Sequence, residues 1–236
     1  MESTKHFLDW TFDPNGNKRF HTDTLDPTKP GIDIGATSPH RIPESDVEQL
    51  AINFLYDATL NCWKASNRTI KFGSYYLLTE NKEYDIKAGT YFVAGMTWFV
   101  IFYKDGNTQM PYLLIVNSLY EKIQPRIKLE KECTYSIGTL AYGLKDSKNK
   151  DIVIVGDKTV SGYHAKLQVT IDGKFKLTDL KSMNGTFISL ETEPQMALTE
   201  NRYVFRIGFE TFIQYRKETV TQSSDNASST AVTVKF

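Results

Sequence analysis

The fold is decided by residues 151–190, which read DIVIVGDKTVSGYHAKLQVTIDGKFKLTDLKSMNGTFISL. Apolar and β-branched residues fill three short runs here, a composition typical of β-strands. The runs are Ile152–Val155, Ala165–Ile171 and Phe175–Asp179. Asp172-Gly173 separates the last two runs, and an Asp-Gly pair between apolar runs is a strong signal for a tight hairpin turn. This stretch therefore predicts antiparallel β-structure.

The same pattern extends over most of the chain after Thr69. Short aromatic and β-branched runs recur, with turn signals about every 8–12 residues. The further runs are Tyr75–Leu78, Tyr91–Ala94, Trp98–Tyr103, Tyr112–Ser118, Tyr203–Ile207 and Thr211–Tyr215. We therefore predict a mainly β protein built around an antiparallel β-sandwich.

One segment shows a helical pattern instead. Ser45 and Glu48 form a capping box at its start. Apolar residues then follow at the spacing of one helix face. They are Val47, Leu50, Ala51, Phe54, Leu55 and Ala58. We predict one amphipathic helix here, about 14 residues long, with its apolar face packed on the core.

The two ends of the chain lack a sustained period. Residues 1–44, rich in Asp, Pro, Gly and Thr, predict an irregular arm. Residues 1–60 hold 10 acidic and 5 basic side chains, whereas residues 131–186 hold 9 Lys and 6 acidic side chains. We therefore expect the acidic arm to lie on this basic region or on a neighbouring protein, through a salt-sensitive contact. The Ser/Thr-rich tail, residues 218–236, predicts a flexible segment.

Two parts of the chain resemble each other. Phe92–Val100 matches Phe205–Ile213 at an offset of 113, with the phenylalanine and the glycine in register. The four residues Leu78–Asn81 also recur unchanged as Leu198–Asn201. Both halves are therefore predicted to end in the same β-hairpin, with a glycine at its turn.

Three motifs in the second half carry a family resemblance. They are Tyr135-Ser136-Ile137-Gly138, then Ser161-x-x-His164 after the strand that begins at Asp151, then Asp179-Leu180-x-Ser182-x-Asn184-Gly185-Thr186. With the closing Phe-x-x-Gly hairpin, they resemble a forkhead-associated (FHA) domain over residues 112–216. A fainter resemblance, limited to the family's last strands, covers residues 69–104. The resemblance implies a β-sandwich that binds phosphothreonine peptides through loops at one end.

The resemblance also implies roles for individual residues. Ser161 matches the serine that holds the phosphate, and Asn184 matches the asparagine that binds the peptide backbone. His164 matches the histidine that braces the loop from within. The other matches are loop-structural positions: Gly138, Gly185 and Thr186.

Two residues depart from the family pattern. Thr139 stands where the family has its phosphate-binding Arg, and Gly162 replaces the Arg or Asn that follows the serine. An Arg fork makes charge-assisted bonds worth about 1.5–3 kcal/mol each. Lys158, Lys145 or Lys148 could supply a point charge, although none is at the matching position. We therefore expect a phosphothreonine site that has decayed.

These features divide the chain into four predicted parts. They are an arm (1–44), a helix with a partial FHA-like repeat (45–107), an FHA-like sandwich (112–217) and a flexible tail (218–236). The predicted function is a non-enzymatic protein–protein interaction module, acting as a structural or scaffolding subunit of a multi-subunit assembly. The alternative is an active adaptor that binds phosphothreonine peptides in signalling.

Composition excludes several other classes of function. With 28 basic and 28 acidic residues, the chain lacks the positive surplus expected of a nucleic-acid-binding protein. Scattered histidines and two distant cysteines predict no metal site, and no motif predicts a cofactor or a catalytic residue. The longest uncharged run, residues 88–103, is shorter than the roughly 20 residues of a membrane span. The apolar stretch of a secretory signal is missing, so we expect an intracellular protein, cytoplasmic, cytoskeletal or in a mitochondrial assembly.

Overall fold

A computed structural model describes residues 2–12, 19–29, 31–35, 40–41, 51–68, 73–104, 110–117, 126–141, 143, 147–190, 195–208 and 211–221. These residues form a mainly β structure. The strands are β1 (Glu2–Phe12), β2 (Arg19–Leu25), β3 (Ile32–Gly35), β4 (His40–Arg41), β5 (Ile52–Asp57), β6 (Cys62–Asn67), β7 (Ser74–Leu77), β8 (Glu83–Ile86), β9 (Tyr91–Ala94), β10 (Thr97–Tyr103), β11 (Pro111–Asn117), β12 (Ile127–Lys128), β13 (Thr134–Gly138), β14 (Asn149–Val153), β15 (Ala165–Val169), β16 (Phe175–Asp179), β17 (Thr186–Ser189), β18 (Met196–Leu198), β19 (Arg202–Ile207) and β20 (Thr211–Thr221).

The strand order shows the same arrangement twice. A ten-stranded sheet has the order β12-β11-β10-β9-β17-β7-β19-β20-β1-β2, and the two five-stranded sheets have the orders β14-β13-β15-β16-β8 and β4-β3-β5-β6-β18. In each five-stranded sheet the first two strands are parallel and the other pairs are antiparallel. We call β1–β7 with β18–β20 the first sandwich, and β8–β17 the second sandwich.

The two halves of the chain exchange their closing strands: β8 and β9 close the second sandwich, and β18 and β19 close the first. In the second sandwich, β16 pairs with β8 and β17 pairs with β9, although both partners precede the rest of that sandwich along the chain. In the first sandwich, β6 pairs with β18 and β7 pairs with β19, which come after the second sandwich. The second sandwich is therefore one continuous segment, residues 83–190, inserted into the first.

A short connection explains how the chain passes between the sandwiches. β7 lies beside β17 in the ten-stranded sheet. The next residues continue along the same neighbour, because Leu78 N donates to Thr186 O (2.9 Å) and Asn81 N donates to Asp179 O (2.9 Å). Within five residues of the end of β7 the chain therefore reaches the edge of β16, and β8 then pairs along that edge.

The two related hairpins take equivalent places around this junction. β9–β10 and β19–β20 both turn at a glycine in the left-handed region, with φ of 61° at Gly95 and 60° at Gly208. The recurring Leu-Thr-Glu-Asn segments are not equivalent, since the first follows β7 and the second spans the end of β18 and the start of the turn before β19. That part of the predicted repeat is wrong, because these segments recur at a different spacing from the hairpins.

A continuous apolar core runs through both sandwiches. Phe54 of β5 packs edge-on against Phe205 of β19, with ring centroids 5.4 Å apart, and so joins the two sheets of the first sandwich. In the second, Phe92 stacks on Phe99 at 4.8 Å. Burying one such side chain contributes roughly 1.5–3 kcal/mol, so each sandwich carries its own apolar stabilisation.

The predicted helix is wrong where the structure describes it. Residues 52–57 form β5, which pairs with β3 and β6. Ile52 and Phe54 are buried and Asn53 between them is half-buried, whereas Leu55, assigned to the apolar helix face, is 49% exposed. Alternation at period two and pairing on both sides thus outweigh the helical spacing. Residues 42–50, with the capping box, lie outside the described residues.

The prediction of an irregular arm over residues 1–44 is also wrong, because the segment contributes β1–β4. β1 pairs with β20 from Glu2↔Thr221 to Thr11↔Phe212. Leu8 and Trp10 alternate with the half-buried Asp9 and are buried in the core. The pattern is short and interrupted by polar residues, and it becomes stable through pairing with a strand from the far end of the chain. Of the predicted tail, residues 218–221 belong to β20 and residues 222–236 lie outside the described part.

Candidate functional site

Three loops meet at one end of the second sandwich. The parallel strands β13 and β14 end at Gly138 and Val153, and the antiparallel β15 begins beside them at Ala165. β16 ends at the same end of the sheet, with Asp179 paired to Ala165. The loops after β13, β14 and β16 therefore converge, and they contain or border every site residue predicted from the sequence.

His164 lies at the centre of these loops and is fully buried. Ser161 N donates to its Nδ1 (3.0 Å), so the ring proton is on Nε2, which donates to Gly185 O (3.1 Å). One imidazole thus holds the β14–β15 loop against the β16–β17 loop. Burial lowers the pKa of His164, which keeps the ring in this neutral form.

Ser161 and Asn184 make further bonds between the same two loops. Ser161 Oγ accepts a hydrogen bond from Met183 N (2.9 Å). Asn184 Nδ2 donates to Thr159 O (2.7 Å). The two side chains that the family resemblance assigns to ligand recognition are therefore engaged with the protein's own backbone.

Two glycines permit the close approach of these loops. A Cβ atom on Gly138 would lie 2.0 Å from Gly162 O, so only glycine fits where β13 meets the β14–β15 loop. Gly185 has a φ of 75°, a conformation that glycine adopts without strain. Next to it, Thr186 Oγ1 donates to Asp179 Oδ2 (2.6 Å) and fixes the start of β17.

Positive charge at the loops comes from lysines. Thr139, at the position of the family's Arg, donates its backbone N–H to Ser161 O (3.1 Å), so this backbone lies directly beside the serine. Lys158 is exposed in the β14–β15 loop, and Lys181, which the sequence analysis did not single out, is exposed in the β16–β17 loop. Lys148 forms an ion pair with Glu132 (3.4 Å) instead. Lys145 lies outside the described residues.

Sequence reasoning missed Asp157, which connects the β14–β15 loop to the β9–β10 hairpin. It is buried and accepts hydrogen bonds from Met96 N (2.9 Å), Thr97 Oγ1 (2.8 Å) and Thr159 N (2.9 Å), and also from Thr159 Oγ1. Burial alone would raise the pKa of Asp157, but the hydrogen bonds, first those from Thr159 and Thr97, outweigh it and the pKa is lowered. The Asp-x-Thr spacing in the sequence predicts the turn at Asp157 and Thr159. The bonds to Met96 and Thr97 could not be predicted, because these residues are distant in the sequence.

Comparison with known families agrees with this geometry. Residues 135–208 match the model of the FHA domain family. The matched stretch belongs to the FHA domain family. FHA domains are protein-interaction modules, typically for phosphopeptides, so an interaction function follows for this part of the chain. Among curated proteins, no sequence matches the chain significantly.

The FHA match and the second sandwich are not the same set of strands. The matched residues include β18 and β19, which close the first sandwich. They leave out β8–β10, which close the second sandwich next to the recognition loops. The FHA loops of this chain therefore rest on strands contributed from residues 83–103.

No group of three His, Cys, Asp or Glu residues in the described ranges could hold a metal ion. None of the described segments forms a helix long and apolar enough to cross a membrane.

The neutral His164 predicts an acid-sensitive domain. Its folded-state pKa lies below the usual 6.5, so the unfolded chain takes up this proton first as the pH falls. The stabilisation is complete above pH 6.5 and decreases below it, with a slope of up to about 1.4 kcal/mol per pH unit. Urea denaturation between pH 7.5 and 5 measures the slope, and NMR titration assigns it to the ring.

A matched variant isolates this contribution. His6 is partly buried, which with the nearby Lys217 also lowers its pKa, so it adds acid sensitivity of the same sign. We expect His164→Gln to lose more of the slope than His6→Gln. A His164 resonance titrating at or above 6.5 would contradict the neutral brace.

Proposed function

We propose that this chain is a non-enzymatic structural subunit of a larger protein assembly, whose FHA domain binds its partner without phosphothreonine. The observation that carries the proposal is that Ser161 Oγ and Asn184 Nδ2 are hydrogen-bonded to loop backbone, 2.9 Å and 2.7 Å from their partners. Thr139, whose backbone N–H donates to Ser161 O, stands where the family has a guanidinium. Without an Arg fork, a phosphate dianion loses its two charge-assisted bonds.

The first sandwich supports a structural role, as a second FHA-like unit that has an alanine where the second sandwich has its bracing histidine. Ala51 takes the place of His164 in its backbone ladder. Ala51 N donates to Ile34 O (2.8 Å), and Ala51 O accepts a hydrogen bond from Arg68 N (2.9 Å). In the second sandwich, His164 N likewise donates to Ile137 O, and His164 O accepts from Leu180 N (both 2.9 Å). An alanine at this position supplies no imidazole to brace the neighbouring loops.

One observation favours the alternative, an active phosphothreonine adaptor. The loop brace of the second sandwich is complete, since His164 contacts both loops. Loops held in this way are preorganised for a ligand, which lowers the ordering cost of binding.

Peptide binding distinguishes the two functions. The intact chain is tested against an oriented phosphothreonine library and against the same library unphosphorylated, with Ser161→Ala as the control. We expect no preference for phosphopeptides, together with stable co-purification of the chain in a large complex. Micromolar phosphopeptide binding that Ser161→Ala abolishes would overturn the structural-subunit proposal in favour of the adaptor.

A further inference from the structure

Large apolar side chains are exposed at the recognition loops. Met183 is 89% exposed, Val155 74%, Leu140 56% and Tyr163 43%. We call these four residues the apolar loop surface. Scattered exposed apolar residues are normal on proteins, but several on converging loops indicate an interaction site.

Hydrogen bonds between the loops place the backbones of three of these residues around Ser161. Leu140 N donates to Gly162 O (3.0 Å) on one side. Met183 N donates to Ser161 Oγ (2.9 Å) on the other. Tyr163 follows directly in the chain, so three members of the surface flank the same short segment.

Gly162 is part of this arrangement. A Cβ atom at Gly162 would lie 2.8 Å from Leu140 Cδ1. The Leu140 side chain therefore occupies the space that a longer residue after the serine would need. At the two positions that depart from the family pattern, this chain has Gly162, with Leu140 in the adjacent space, and Thr139, with a small hydroxyl, in place of longer polar side chains.

The exposed charge of the β14–β15 and β16–β17 loops is positive. Residues 154–164 and 180–185 contain one acidic side chain, Asp157, which is buried and hydrogen-bonded. Lys158 and Lys181 are both exposed. A carboxylate on a partner would therefore meet lysines without an opposing acidic group in these loops.

We propose that the apolar loop surface docks an extended, unphosphorylated segment of a partner protein that carries a large apolar side chain beside Asp or Glu. The apolar side chain packs on Leu140, Tyr163 and Met183, and the carboxylates lie by Lys158 and Lys181. This inference rests on the proposed function, since it names what the FHA loops bind without phosphothreonine.

The test uses the intact chain and fluorescent nonapeptides in anisotropy titrations. One peptide library fixes a central Leu flanked by Glu; its two controls replace Leu by Ser or Glu by Lys. We expect binding of the Glu-Leu library, with affinity at least tenfold lower for both controls. We expect Met183→Asp and Leu140→Asp each to weaken binding at least tenfold. Ile171→Asp is the matched control, because Ile171 is 72% exposed at the opposite end of the same sandwich.

The outcomes separate this inference from the proposed function. No binding of the Glu-Leu library at millimolar peptide, with the chain still in its complex, overturns the docking surface and leaves the structural subunit. Equal loss of binding in Met183→Asp and Ile171→Asp also overturns it. Binding restricted to phosphopeptides and lost in Ser161→Ala overturns the proposed function itself.

Discussion

Replacing Asp157 with alanine is expected to lower the free energy of unfolding by about 3–5 kcal/mol. The carboxylate is 1% exposed and accepts hydrogen bonds from Met96, Thr97 and Thr159. Each donor left without a partner in the interior costs about 1–3 kcal/mol. Because these donors belong to two different segments, the loss also detaches the β9–β10 turn from the recognition loop. Urea denaturation measures the change.

Asp172→Ala is the matched control for this prediction. Asp172 also accepts from a threonine two residues away, Thr170, but it is exposed at the β15–β16 turn. The loss there is expected to be within about 1 kcal/mol, as for exposed ion pairs and turns. Equal losses in the two variants would contradict the role assigned to Asp157.

Thr139→Arg is expected to increase affinity for phosphothreonine peptides about a hundredfold. The backbone at Thr139 is held beside Ser161 by a 3.1 Å hydrogen bond, so a long side chain there starts next to the serine. A guanidinium adds two charge-assisted bonds to a phosphate, and a net gain of roughly 3 kcal/mol corresponds to about that factor. Isothermal titration of wild type and variant with one phosphothreonine peptide measures the gain.

The controls assign the gain to charge at this site. Thr139→Met has comparable length without charge and is expected to show no gain. Adding Ser161→Ala to Thr139→Arg is expected to reduce the gained affinity. A Thr139→Arg protein that binds phosphopeptide no better than wild type would show that the loops are not a preorganised phosphate site.

The sequence predicted strands β15 and β16 and the loop motifs of the second sandwich, because these signals are local. The Ser161-x-x-His164 and Asn184-Gly185 motifs each lie within one loop, and the loops converge once β13–β16 pair. The apolar runs of β15 and β16 alternate clearly around Asp172-Gly173. Short spacing and strong alternation are the patterns that sequence reasoning detects.

The first sandwich was harder to predict, because its strands depend on distant partners. β1 alternates weakly and is stabilised by β20, more than two hundred positions away. Ile52–Asp57 fits a helix and a strand pattern alike, and pairing with β3 and β6 decides between them. The sequence also could not predict which closing strands belong to which sandwich, because the closing strands of the two halves have similar sequences. Asp157 was missed for the same reason: its partners Met96 and Thr97 are distant in sequence.

Strands from residues 83–103 close the sandwich that carries the FHA loops. Disulfide trapping tests this pairing. Lys176 of β16 pairs with Asp85 of β8, and Ala197 of β18 pairs with Lys64 of β6. Directly opposite residues in an antiparallel pair have Cα atoms about 4.5–5.5 Å apart, within the range of a disulfide.

The measurement compares two double-cysteine proteins after mild oxidation, with disulfides mapped by peptide mass spectrometry. The native Cys62 and Cys133 are buried, so the mapping separates them from the engineered pair. We predict an intramolecular disulfide in Lys176→Cys with Asp85→Cys, and none in Lys176→Cys with Ala197→Cys. The reverse result, a bond to position 197 and none to position 85, would contradict the exchange.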